Sequence, residues 1–156
     1  MAPTFDPDTG LFYVSARRLY SVFYLTAEGK AEGWGGRDRN LWAESVIQAI
    51  DYRTGKIRWS HEIGRGEGIA GLLTTAGKLL FTADNSANLL ALDPATGRTL
   101  WHVNIGGRVV ASPMTYELAG RQYVLFAVQD TLYAFCRISF GWCETGSRCK
   151  IAESVT

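Results

Sequence analysis

The side chains that could do chemistry here are few and scattered. Three carboxylates sit where a general base could sit: Glu67 inside Gly64-Arg65-Gly66-Glu67-Gly68, and Asp84 and Asp130 near the ends of predicted strands. A carboxylate base works when burial or a neighbouring charge tunes it and a second group orients the substrate. None of the three has such a companion at a diagnostic spacing, so each reads as a solvated turn acid and no catalytic residue is assigned. The Gly64–Gly68 loop lacks the Gly-Lys-Ser/Thr ending and the strand-to-helix context of a phosphate cradle. Cys136, Cys143 and Cys149 form an odd set spaced by seven and six residues, which matches neither a paired zinc knuckle nor a redox Cys-x-x-Cys. His61 and His102 each follow a tryptophan by two residues or fewer; an isolated histidine on a strand is ordinarily a packing or surface residue. No metal site can be assembled from these groups.

The elements that must position them are marked by a repeat. Ala49-Ile50-Asp51-Tyr52-Arg53-Thr54-Gly55-Lys56-Ile57-Arg58-Trp59 returns as Ala91-Leu92-Asp93-Pro94-Ala95-Thr96-Gly97-Arg98-Thr99-Leu100-Trp101, each shared Ala, Asp, Thr, Gly and Trp displaced by 42 positions. That period is the length of one four-stranded propeller blade. The repeated residues have mechanical work to do: Asp51 and Asp93 accept turn amides, Gly55 and Gly97 take positive φ, and Trp59 and Trp101 offer flat surfaces that wedge between blades.

Short apolar runs broken by turn residues, without helical spacing, predict an all-β chain. Strands are expected at Leu11–Ala16, Val46–Asp51, Lys56–His61, Gly71–Thr75, Leu79–Ala83, Asn88–Leu92, Thr99–Val103, Val109–Thr115, Gln122–Val128 and Thr131–Phe135. They group into a partial β-propeller of about three four-stranded antiparallel blades. Residues 1–62 form an incomplete blade holding three strands between Leu11 and His61, interrupted by a long insertion at 17–45. Residues 63–104 form a complete blade and 105–135 an incomplete one, while 136–156 form a tail without repeat signature, expected to be disordered. An insertion as long as 17–45 is of the kind that is functional or disordered.

Bulk properties narrow the function classes. The 156 residues are 47% hydrophobic and 20% charged, with a formal charge of +1, a globular composition that gives no electrostatic case for nucleic acid or an anionic membrane. No run approaches the length of a membrane span, and no leader-like pattern opens the chain.

The repeat Ala-x-Asp-x-x-Thr-Gly-x-x-x-Trp resembles the tryptophan-docking repeat of the pyrroloquinoline quinone (PQQ) dehydrogenases. The flanking phrases Pro3-Thr4-Phe5-Asp6-Pro7-Asp8-Thr9-Gly10-Leu11-Phe12-Tyr13-Val14, Thr75-Ala76-Gly77-Lys78-Leu79-Leu80-Phe81, Ala111-Ser112-Pro113-Met114-Thr115-Tyr116 and Gly120-Arg121-Gln122-Tyr123-Val124 follow in the order of that family's C-terminal part. The resemblance covers about residues 3 to 135. It implies an eight-bladed propeller holding PQQ and calcium on its axis, where an aspartate base helps move a hydride from an alcohol or sugar to the quinone. It also implies that the family's catalytic aspartate, calcium-binding glutamate and adjacent cysteine pair belong to blades preceding Met1.

Cofactor-facing positions of the family that fall within this chain map onto Arg17 and Ile69-Ala70-Gly71, and they depart from the alcohol-dehydrogenase pattern. Ile69 stands where those relatives carry a cofactor-lining tryptophan. Arg17 aligns near a cation-holding asparagine, and Gln129-Asp130-Thr131 replaces a glycine-rich stretch. The reading is a C-terminal fragment of a PQQ-dependent dehydrogenase, inactive alone, from a periplasmic parent and prone to self-association through open blade edges. Two alternatives stay open: an enzyme completed by a chain carrying the missing blades, and a non-enzymatic propeller scaffold for protein binding, like the lipoprotein that assists outer-membrane assembly.

Overall fold

A computed structural model describes residues 2–25, 36–66 and 70–136. Every regular element among them is a strand: β1 Thr4–Asp6, β2 Leu11–Leu25, β3 Gly36–Asp51, β4 Ile57–Arg65, β5 Leu73–Thr75, β6 Leu79–Ala83, β7 Asn88–Leu92, β8 Thr99–Asn104, β9 Met114–Leu118, β10 Arg121–Val128 and β11 Thr131–Cys136. All pairings are antiparallel between chain neighbours, giving sheets β1-β2-β3-β4, β5-β6-β7-β8 and β9-β10-β11. The architecture is the all-β, open stack of propeller blades that the repeat predicts. No helix among the described residues is long and apolar enough to cross a membrane.

Alternation along the strands builds the two layers of core between the three sheets. Leu11, Tyr13, Ile47 and Ala49 of the first sheet pack against Leu80, Leu90 and Leu92 of the second and against Leu72 just before β5. The opposite face of the second sheet, with Phe81, Ala83, Leu89 and Ala91, packs against Val124, Phe126 and Val128 of the third. The middle sheet is therefore buried on both faces, and its strands β6 and β7 read as near-continuous apolar runs.

Four details differ from the sequence expectations. The first sheet has a fourth strand, because Thr4–Asp6 pairs with Leu11–Tyr13; three residues are too few to carry a period-2 signal. The flanks of the insertion at 17–45 continue the blade rather than leave it, with β2 and β3 paired from Leu11↔Asp51 to Leu25↔Gly36 and a bulge between Tyr20 and Ser21. The run Leu19-Tyr20-Ser21-Val22-Phe23-Tyr24 is rich in aromatic and β-branched residues, which suit a pleated ribbon. The strand expected over Val109–Thr115 starts only at Met114, with Val109 held in a lone bridge to Val128; Pro113 has no amide to give a ladder. Finally, β5 begins at Leu73 rather than Gly71. The tail 137–156, with Cys143 and Cys149, and the segment 26–35 lie outside the described residues.

Candidate functional site

Successive blades meet at two ends, and the described candidates Arg17, Ala70 and Gly71 lie toward one of them. Tyr13, Ser15 and Arg17 alternate on one face of β2, the face turned toward the second sheet. Their partners on β3 are Ala49, Ile47 and Ser45. Ser15 Oγ donates to Ala70 O at 3.5 Å. Ser45, buried to 1% exposure, donates from Oγ to Gly66 O at 2.7 Å. Arg17, paired with Ser45, is exposed.

The C-terminal end of β4 is held from both sides. Gly66 N donates to Ala43 O at 2.9 Å, and Asn85 N donates to Ile63 O at 2.9 Å. Asn85 Nδ2 adds a bond to Gly64 O at 3.1 Å. Beyond it Ala70 is buried, and Gly71 accepts from Thr82 Oγ1 at 3.2 Å through its carbonyl. A Cβ on Gly71 would run into the Cβ and Oγ of Ser112, from the β8–β9 connection, so glycine is required there by close approach. Sheets one and two and the β8–β9 connection thus converge around Ala70 and Gly71. Ile69 and Glu67 lie outside the described residues.

The structure assigns Asp84 to its turn: Oδ1 accepts the amides of Ser86 and Asn88 at 2.8 and 2.9 Å, and Oδ2 accepts Asn88 Nδ2 at 2.6 Å. Asp130 accepts Thr131 Oγ1 at 3.3 Å at an exposed position. Among the described residues no three His, Cys, Asp or Glu side chains converge as a metal would need. Ser45, Asn85 and Ser112 were not singled out from sequence. Single polar residues in turns carry no pattern, and the only hint was the Ser-Pro pair at Ser112-Pro113.

The other end carries the repeat. Trp59 Nε1 donates to Pro94 O at 3.0 Å, and Tyr13 Oη donates to the same carbonyl at 2.9 Å. The indole lies over Gly97, where a Cβ would sit 2.6 Å from the ring at φ +73°. Burial pushes the Tyr13 phenol above its ordinary value, with the hydrogen bond from Thr9 opposing and Asp6 and Asp93 reinforcing the shift. Asp51 is held below the usual carboxylate value by the amides of Thr54 and Arg53. The repeat tryptophans and acids are mechanical parts at the end away from Arg17 and Gly71.

Residues 47–124 match the family model described as the PQQ glucose/ethanol/alcohol dehydrogenase β-propeller domain. The chain belongs to that family. It is 37% identical over 129 residues to the 1-butanol dehydrogenase (quinone) of Thauera butanivorans, covering 78% of this chain and 20% of that protein. It is 35% identical over 131 residues to the quinoprotein ethanol dehydrogenase of Pseudomonas aeruginosa, covering 77% and 20%. Among solved structures, the quinohemoprotein alcohol dehydrogenase from Comamonas testosteroni superposes with a TM-score of 0.73 at 27% identity, over 94% of this chain and 27% of that one. The chain spans about a fifth of the length of the curated relatives it matches.

Against the family's cofactor, the described residues fit only in part. PQQ is a flat tricarboxylate. Arg17 is an exposed positive charge, and Ala70 and Gly71 are buried and close-packed. No group of three His, Cys, Asp or Glu side chains converges among the described residues, so no catalytic step is derived through this set.

Proposed function

We propose that this chain is a segment of a PQQ-dependent dehydrogenase that oxidises an alcohol or a sugar, and that by itself it does not turn over. The observation that carries the reading is the match of its repeat region to the quinoprotein propeller domain, together with a span of about a fifth of the curated relatives. In this reading Arg17, Ile69, Ala70 and Gly71 line one rim of the cofactor site. Calcium and the base come from blades outside the described residues, and the parent is periplasmic.

Isothermal titration of the purified chain with PQQ, in calcium-containing and calcium-free buffer, tests the reading. No saturable heat is expected in either. Calcium-dependent saturable binding would overturn the claim of inactivity and favour the second reading, an enzyme completed by association. That second reading has its own support: the outward face of the first sheet is apolar and exposed, with Phe5 at 43% and Phe12 at 38%. Such a face also promotes self-association.

A further inference from the structure

The ribbon in which β2 and β3 continue the first sheet has two edges of opposite character. β1 covers the outer edge of β2 only from Leu11 to Tyr13. Pro3, with no amide to give a ladder, ends that pairing, and Ala2 turns away so that its carbonyl accepts Leu72 N at 3.1 Å. From Val14 onward no strand among the described residues pairs with this edge. The irregularity of the ribbon lies on the other strand, where Leu41 is the extra residue between Trp42 and Asn40, so β2 itself runs unbulged. Its open stretch Leu19-Tyr20-Ser21-Val22-Phe23-Tyr24 contains no charge, proline or glycine, and Val22 is 44% and Phe23 80% exposed. β3, beyond its last pair with β4 at Glu44↔Arg65, instead presents Asp38-Arg39-Asn40 at its edge. Charges on an edge deter strand addition, whereas a regular, uncharged, apolar edge invites it.

We infer that the open edge of β2 pairs antiparallel with the same edge of a second copy of this chain, joining two ribbons into one four-stranded sheet about a two-fold axis. The occupant follows from self-complementarity. With Val22 opposite Val22, Tyr20 falls opposite Tyr24 and Ser21 opposite Phe23. Tyr20, Val22 and Tyr24 alternate onto one face of β2, the face that already holds the Tyr20–Trp42 contact at 5.3 Å between ring centroids. Aromatic and β-branched residues directly across an antiparallel pair are favourable neighbours. This register leaves Arg18, in its ion pair with Glu44 at 3.4 Å, outside the paired stretch, so no like charges oppose one another. A two-fold axis uses the edge once on each copy and so closes the assembly at two. The pairing also answers a weakness of the ribbon, since two strands alone are marginal in water and a wider sheet with an apolar face is not.

Sedimentation equilibrium of the full chain tests this, with a monomer–dimer equilibrium as the expected result. Val22→Lys sets like charges face to face on the axis and should weaken dimerisation at least tenfold, as should Val22→Glu. Mixing the two variants should restore a heterodimer within about threefold of the wild-type affinity, because the charges then attract across the axis. That rescue requires position 22 of one copy to meet position 22 of the other, and a variant that had merely misfolded would not show it. Phe12→Glu, on the outward face of the first sheet, should leave the dimer intact. A monomer at all concentrations, a dimer indifferent to Val22→Lys, or Lys and Glu variants that fail to recombine would each overturn the inference. So would a dimer lost in Phe12→Glu and kept in Val22→Lys, which would place the contact on the sheet face. Wild-type chain found only as large aggregates would overturn the closed two-fold pair. None of these readouts requires PQQ, so failure here and failure of the cofactor titration are separate results.

Discussion

The two copies of the docking repeat share their residues and differ in their surroundings. In the first copy the turn is bare and the tryptophan is locked: Trp59 is fixed by a hydrogen bond to Pro94 O and by contact with Gly97. In the second copy the turn is covered and the tryptophan is held among aromatic rings. Trp101 meets Phe135 edge-on, and Phe135 meets Phe126, which meets Phe81 at 6.4 Å. At the position equivalent to Asp51 and Asp93, the third sheet has Cys136 at the end of β11, beside the groove lined by Trp101, Phe126 and Phe135. A repeat residue therefore specifies a shape, and the neighbouring sheet decides what that shape does.

The sharpest break of this comparison is a pair of matched substitutions. Gly97→Ala and Gly55→Ala each place a side chain at positive φ, a strain of about 1–2 kcal/mol. Only Gly97→Ala also drives a methyl into Trp59, adding about 1–3 kcal/mol of overpacking. Urea unfolding of the two variants should show the Gly97 variant less stable by that second amount. Equal losses would mean that the first interface is not closed as described.

Next in size is Trp59→Ala. With the indole half-buried, it should cost about 3 kcal/mol, mostly from lost packing, since Pro94 O keeps its bond from Tyr13. Trp59→Phe should recover most of that, leaving about 1 kcal/mol for the missing N–H donor. Thermal melts of the wild type and both variants check the order.

Tyr13→Phe sharpens the same contact and should cost about 1 kcal/mol at neutral pH, since Pro94 O keeps its bond from Trp59. The sign with pH follows from the raised Tyr13 value. Its contribution is fully present below the ordinary tyrosine value of about 10 and is lost as pH rises through the folded value. Wild type should therefore lose stability in alkali more steeply than Tyr13→Phe, read from urea midpoints on either side of that window.

The smallest effect belongs to Asp51. Its carboxyl is held low by the amides of Thr54 and Arg53, so its contribution is present above the ordinary carboxylate value and lost as pH falls through the folded value. Asp51→Asn should flatten the acid limb of the stability profile slightly, because the group is exposed and screened by water. An unchanged acid limb would mean that the bare turn is not held by Asp51.

Much of the fold was legible because blades are built from local rules. Asp51, Gly55 and Trp59 announce a turn and an outer strand within nine residues, and Leu89, Ala91, Leu80 and Ala83 show strands by their apolar runs. The misses share a cause. β1 is three residues long, and the ribbon at 17–25 and 36–45 sets a largely apolar arm, Leu19 to Tyr24, beside a mostly charged and polar one on a surface that buries little, so neither has a strong burial pattern. The candidate site was less legible than the fold. Ala70 and Gly71 were named through a resemblance, but their walls are Ser15, Thr82 and Ser112, brought in from two sheets and the β8–β9 connection.

The amino-acid sequence alone determined the repeat, its period, the β class and the family, because a turn acid, a positive-φ glycine and a wedge tryptophan interact with near neighbours whose spacing is written in the chain. Only the tertiary structure decided which acceptor is filled. Gly55 and Gly97 are the same residue in the same turn, and whether an indole lies over either depends on which sheet is stacked next to it, a relation between segments some 40 residues apart.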